Sequence, residues 1–159
     1  MNTLTRTDAR NITATFTYDR LNRVTTLRYT NDPQNTSEVD TYYDGYRGNN
    51  YTTIGNVKGQ PWQTETIGQV RFTVDSFDVM GRPTTQRQQF WSNNAWSNSY
   101  QTTVNYDLAG ELIGQTYPSG HTITNDFDQL GRLQNFSGNL GSTSQVYANN
   151  FQYNESGFL

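Results

Sequence analysis

The chain has 159 residues, a net charge of −3, and only 32% hydrophobic and 16% charged residues, well short of the ~45–50% apolar content of a solid globular domain. The slight negative charge leaves no basic face for nucleic acid, no apolar run approaches a membrane span, and the lack of cysteine excludes disulfides and thiolate metal sites. Aromatics at 14% still predict a folded chain, and the length allows one domain, 1–159.

Residues 1–10 are polar and carry no signal-peptide segment, so any export signal is expected elsewhere in a longer parent. In 12–18, Ile12, Ala14, Phe16 and Tyr18 alternate with Thr13, Thr15 and Thr17, the pattern of a strand with one packed face. Asp19-Arg20-Leu21-Asn22 reads as a turn, 23–29 as the returning strand and 31–35 as a loop. A strand is expected at 38–43, followed by a Gly-rich, poorly patterned insertion over about 45–68. Val70, Phe72 and Val74 alternate with Arg71, Thr73 and Asp75, while Phe77 falls out of phase, which predicts a bulge near Asp75-Ser76. Pro83 stands where a strand begins, a position strands accept.

Strands 86–91 and 96–106 flank Asn93-Asn94, which reads as a tight hairpin turn. Tyr117-Pro118-Ser119-Gly120 places Pro second and Gly fourth in a turn. Strands 121–127 and 131–137, a loop at 138–141 and a last full strand at 146–153 complete the chain. Thr and Tyr favour strands and no window sustains helical spacing, so the fold class is all-β.

One turn pattern recurs along this path. Near 16–24, 77–83, 106–112 and 127–133 the chain reads Tyr18-Asp19-x-x-Asn22-Arg23, Phe77-Asp78-x-x-Gly81-Arg82, Tyr106-Asp107-x-x-Gly110-Glu111 and Phe127-Asp128-x-x-Gly131-Arg132. A truncated copy near 153–159 keeps Tyr153 and Gly157, and a degenerate one near 42–48 carries an extra residue before Gly48. Asp favours the first turn position, and Gly or Asn at the fourth tolerates the left-handed geometry that closes a hairpin with a bulge. The motif aromatics lie 21 to 34 residues apart, a period of repeat arrays. Tandem β-hairpins in a curled antiparallel sheet are therefore expected. Arg23, Arg82 and Arg132 stand four after the motif Asp, placed for an ion pair across the turn.

These residues resemble the YD repeat of the bacterial RHS family, as does Thr116-Tyr117-Pro118-Ser119-Gly120 with the Thr-Ile-Thr that follows His121. The resemblance implies a strip wound into a hollow shell around a C-terminal toxin or effector, secreted or at the cell surface as part of a larger parent. Its partners would be the rest of that RHS protein and the enclosed toxin. The family's Asp-Pro-x-Gly self-cleavage motif has no counterpart, because Asp32-Pro33 continues with Gln34-Asn35. A structural encapsulation module is expected, with no catalytic residue, metal or cofactor.

Other chemistry has less support in the residues than the turn reading. The only histidine, His121, has no Gly-x-Ser-x-Gly elbow to serve, and the carboxylates Asp78 and Asp128 are accounted for as turn residues. Trp91, Trp96 and Tyr100 offer an alternative, a surface carbohydrate- or protein-binding platform, against the simpler reading of cross-strand aromatic pairs. The strand expected at 146–153 carries neither charge nor Pro, so an exposed edge could support a homo-oligomer.

Overall fold

The computed structural model describes residues 2–140, 143–154 and 157. Where the sequence reads as one repeat domain, the chain divides into two compact units, Met1–Tyr100 and Gln101–Leu159. The described residues form strands and turns without an α-helix.

The first unit holds β1 (Thr5–Thr7), β2 (Thr13–Tyr18), β3 (Val24–Thr30), β4 (Val39–Tyr43), β5 (Tyr46–Arg47), β6 (Asn50–Tyr51), β7 (Pro61–Thr66), β8 (Val70–Phe77), β9 (Pro83–Ser92) and β10 (Ala95–Trp96). Its sheet runs β1-β2-β3-β4-β7-β8-β9 with β10 on β9, while β5 and β6 form a separate ribbon. The second unit contains β11 (Tyr100–Tyr106, beginning one residue earlier), β12 (Leu112–Thr116), β13 (Thr122–Phe127), β14 (Leu133–Gly138) and β15 (Gln145–Ala148), paired in chain order. In each unit every strand pairs antiparallel with the next strand of its sheet. The expected all-β array of hairpins is borne out.

The motif turns have the expected geometry. The N–H groups of Asn22, Gly81, Gly110 and Gly131 donate to the carbonyls of Asp19, Asp78, Asp107 and Asp128 at 3.0–3.3 Å, and each Asp N–H donates back to the carbonyl of the residue four later. The closing residues are left-handed, with φ of 62° at Asn22, 75° at Gly81, 97° at Gly110 and 73° at Gly131. One residue of each returning strand bulges, at Thr25, Thr84, Ile113 and Gln134. The break of phase before Phe77 is a register shift between Val74 and Ser76. Asn93 and Asn94, with φ of 50° and 58°, close the β9–β10 hairpin as the doubly left-handed turn such a two-residue loop demands.

Because an L side chain is strained there, Gly131→Val is expected to cost about 1–3 kcal/mol and Gly131→Asn much less, as Asn22 already adopts the conformation. Thermal unfolding of the two variants checks this, and equal losses would contradict it.

Three expectations need correction. The copy at 42–48 is not closed by Gly48, which instead turns the β5–β6 ribbon. Its turn is split: Asp44 N–H donates to the Gln60 carbonyl, Tyr43 pairs with Pro61, and Gly59, at φ 84°, donates to the Asp44 carboxylate. Tyr43-Asp44 and Gly59-Gln60-Pro61 thus reproduce Phe77-Asp78 and Gly81-Arg82-Pro83, with 45–58 inserted in place of the two free positions. Consequently the irregular insertion ends before β7 rather than reaching 68. Finally, the strand expected at 146–153 stops at Ala148, because Asn150 turns left-handed (φ 55°) and its N–H donates to the Asn135 side chain.

The loop at 138–141 and the end of the copy at 153–159 lie partly outside the described residues. The Tyr117 turn forms as expected, with Gly120 N–H donating to the Tyr117 carbonyl at 2.9 Å. A further turn of the same geometry, missed because no aromatic precedes it, closes at Asn11 on Asp8.

Burial is sparse, as the composition requires. The hydrophobic cluster of the first unit is Ile54, Val57, Trp62, Val74 and Phe77, with Tyr42 against it, so the insertion supplies two of its members. In the second unit Val104 is the buried hydrophobic residue among those described.

Candidate functional site

The turns that carry the motif fall on one rim of each unit, because hairpins alternate ends as the chain folds back and forth. Each Asp there is a local organiser. One carboxylate oxygen of Asp19 accepts from the N–H groups of Leu21 and Arg23, and the other accepts from Arg23 Nε at 2.7 Å. Asp78 does the same with Met80 and Arg82, and Asp128 with Leu130 and Arg132. The ion pairs expected across these turns are formed, at 2.6–2.7 Å.

At four of the turns the residue after the closing Asn or Gly, Arg23, Gln60, Glu111 or Arg132, also reaches the following turn. Arg23 Nη2 contacts Asp44 at 2.6 Å and its guanidinium lies 4.2 Å from the Tyr43 ring centre. The Gln60 amide sits against Gly81, Glu111 against Gly131, and Arg132 stacks 4.7 Å from the Tyr153 ring centre. Motif tyrosines bond backward: Tyr43 Oη donates to the Val24 carbonyl at 3.0 Å and Tyr153 Oη to that of Leu133 at 2.7 Å. Tyr18 Oη donates to Thr3. Phe77 is buried, whereas Tyr18, Tyr106, Phe127 and Tyr153 are half-buried. Gly157 N–H still donates to the Asn154 carbonyl, so the last copy begins its turn. Sequence reasoning found the pair within each turn but not the bridge between turns, which joins residues about twenty apart, such as Arg23 and Asp44.

Backbone N–H donation from the residue four later, ahead of other causes, holds the carboxyls of Asp19, Asp107 and Asp128 below the usual carboxylate range. A carboxyl lowered by folding contributes stability above its unfolded value and loses it as pH falls through the folded one. Acidification below about pH 4 is therefore expected to unfold the turns cooperatively. Circular dichroism against pH checks this; a protein fully folded at about pH 2 would contradict it.

The remaining candidates are structural in their surroundings. Trp91 and Trp96 meet edge to face at 5.2 Å, and Arg71 lies 4.1 Å over Trp96, so one indole face is already covered. Tyr100 packs edge-on against Phe90 at 5.8 Å. His121 Nε2 hydrogen-bonds Tyr147 Oη at 2.9 Å and its ring stacks on Tyr117. Among the described residues no group of three His, Cys, Asp or Glu is placed to hold a metal ion.

No family model matches the chain, and no curated protein matches it. Solved structures do. A TcdB2-TccC3 crystal structure aligns over 98% of this chain with a TM-score of 0.81 at 18% identity. A Photorhabdus luminescens Tc holotoxin pore with a TccC3 mutation aligns over the same share at 0.80 and 18%, and TcdB2-TccC3-Cdc42 at 0.78 and 17%. The chain spans 8% of the length of each of those chains. At this identity the likeness is one of fold, and at that level it bears out the resemblance to RHS-type repeats.

Proposed function

We propose that this chain is a wall segment of an RHS-type shell that encloses a toxin or effector, without enzymatic activity of its own. The observation that carries this reading is the rim ladder within each unit, in which Arg23, Gln60, Glu111 and Arg132 each reach the turn that follows and so tie successive hairpins together. The fold likeness to toxin-complex proteins supports it. So does the sparse burial, because a wall one sheet thick buries less apolar surface than a solid domain. The motif carboxylates are engaged in capping turns, which favours a structural role over hydrolysis. Its partners are then the rest of the parent protein and its cargo, outside the producing cell or at its surface. Association of isolated copies through the edge at β15 is a finer proposal of the same reading.

The chain has no cysteine, so an introduced thiol is easily followed. Thr102 and Thr103 are neighbours in β11 and point to opposite faces of the sheet. With cysteine at one or the other in the intact parent, a bulky maleimide is expected to label one position at once and the other only after denaturation. Equal labelling of both would contradict an enclosed face.

A further inference from the structure

In the four motif turns whose spacing is uninterrupted, the two free positions are Arg20-Leu21, Val79-Met80, Leu108-Ala109 and Gln129-Leu130. Each pair carries a large apolar side chain, and Leu21, Val79, Met80, Leu108 and Leu130 are all at least 70% exposed. Closing the turn does not require them, because closure uses the Asp carboxylate, the backbone and the left-handed residue. The Asp8 turn makes this plain: it closes in the same way at the opposite ends of the strands, and its tip is Ala9-Arg10. Other tips on that opposite rim are Asn93-Asn94 and Pro118-Ser119, and its large apolar residues Ile67 and Leu140 are less exposed, at 42% and 59%. We infer that the motif rim of each unit is a docking seam whose partner is a second rim of the same repeat, supplied to the isolated chain by a second copy.

Single apolar residues are ordinary on a protein surface, but side chains exposed at the same place in turn after turn are not scattered singly. Neighbouring turns on a rim are two strands apart, which sets their tips at a step of about 9.5 Å. In the first unit the 45–58 insertion stands between the Leu21 and Met80 turns in strand order, and it adds the exposed rings of Tyr46 and Tyr51. A partner that covers every tip of such a row must repeat at the same step, and a second rim does. Charge does not oppose the contact. Each turn carboxylate is engaged by backbone N–H groups of its own turn, and Arg20 is the only ionic residue among these tips. Pairing of two rims needs neither a parent nor a cargo, so it can fail while enclosure holds, and the reverse.

Sedimentation equilibrium of the full 159-residue chain tests the seam. Copies are expected to associate with a dissociation constant below about 1 mM. Met80→Asp with Leu130→Asp puts one carboxylate on the rim of each unit, at positions that face solvent, so circular dichroism should show the fold unchanged. Association should weaken at least about ten-fold, since like charges replace apolar contacts. Met80→Lys with Leu130→Lys should weaken it as much. An equal mixture of the Asp and Lys forms should recover it, which neither a loss of folding nor a general gain in solubility would produce. Val146→Lys on β15, where the residue is 63% exposed, is the control for strand pairing and should do far less. A chain that stays monomeric at about 1 mM, a mixture that does not recover, or an edge change as damaging as the tip changes overturns the proposal.

Discussion

Trp62→Ala is expected to lower the unfolding free energy of the first unit by about 3–5 kcal/mol, the range for a buried aromatic. Trp62 is 6% exposed, and it is the bulge residue of the split turn, packed with Ile54 and Val57 of the insertion and Val74 and Phe77 of β8. Its Nε1 donates to the Tyr46 carbonyl at 3.2 Å, so the same side chain ties down the ribbon. The truncation removes the packing and leaves that carbonyl without its donor, two losses that act together. Phe72→Ala is the control: its ring is 42% exposed on the same sheet and should cost far less. Urea unfolding of both variants decides the point, and equal costs would show that the insertion is not part of the core.

The second large effect is at Glu65. It is 5% exposed, and one carboxylate oxygen accepts from Arg47 of the ribbon at 2.6 Å and from Arg71 of β8 at 3.1 Å. Removing one partner of a buried ion pair typically costs about 3–5 kcal/mol, because the charge left behind has lost both its water and its counter-charge. Glu65→Ala would leave two guanidiniums converging on one site, and Arg71 would no longer be steered over Trp96. Arg47 is 37% exposed, so Arg47→Ala is expected to stay nearer the ~1 kcal/mol of surface pairs. A Glu65→Ala variant as stable as Arg47→Ala would show that Glu65 is hydrated and the clamp weak.

What the sequence revealed and what it concealed divide along the reach of the interactions. Asp-x-x-Gly was legible because its physics is confined to five residues: the backbone can close at Gly81 or Asn22 only through left-handed geometry, and Asp supplies the acceptor. The bulge at Asp75-Ser76 was legible because alternation fails there. The sequence pairs Asp44 with Gly48 because its true partner, Gly59, lies beyond the insertion. A search for fixed spacing does not see a split motif, although the Pro61 that follows Gly59-Gln60 repeats the Pro83 that follows Gly81-Arg82. Asp8 escapes the pattern because Thr7 stands in place of the aromatic.

Trp96 looked open because Arg71, which covers it, is distant in sequence. The last strand reads longer in the sequence than it is because Asn150 leaves it through a contact with the Asn135 side chain. The bridging role of Arg23 was equally hidden, since Asp44 comes beside it only once the sheet has formed.

An electron cryo-microscopy reconstruction of the intact protein that carries this chain tests the central claim most directly. A wall segment predicts that residues 2–154 continue without a break into further hairpins at both ends of the chain, with one face toward an enclosed cavity that holds density for cargo. A stand-alone module with both sheet faces open to solvent would contradict it.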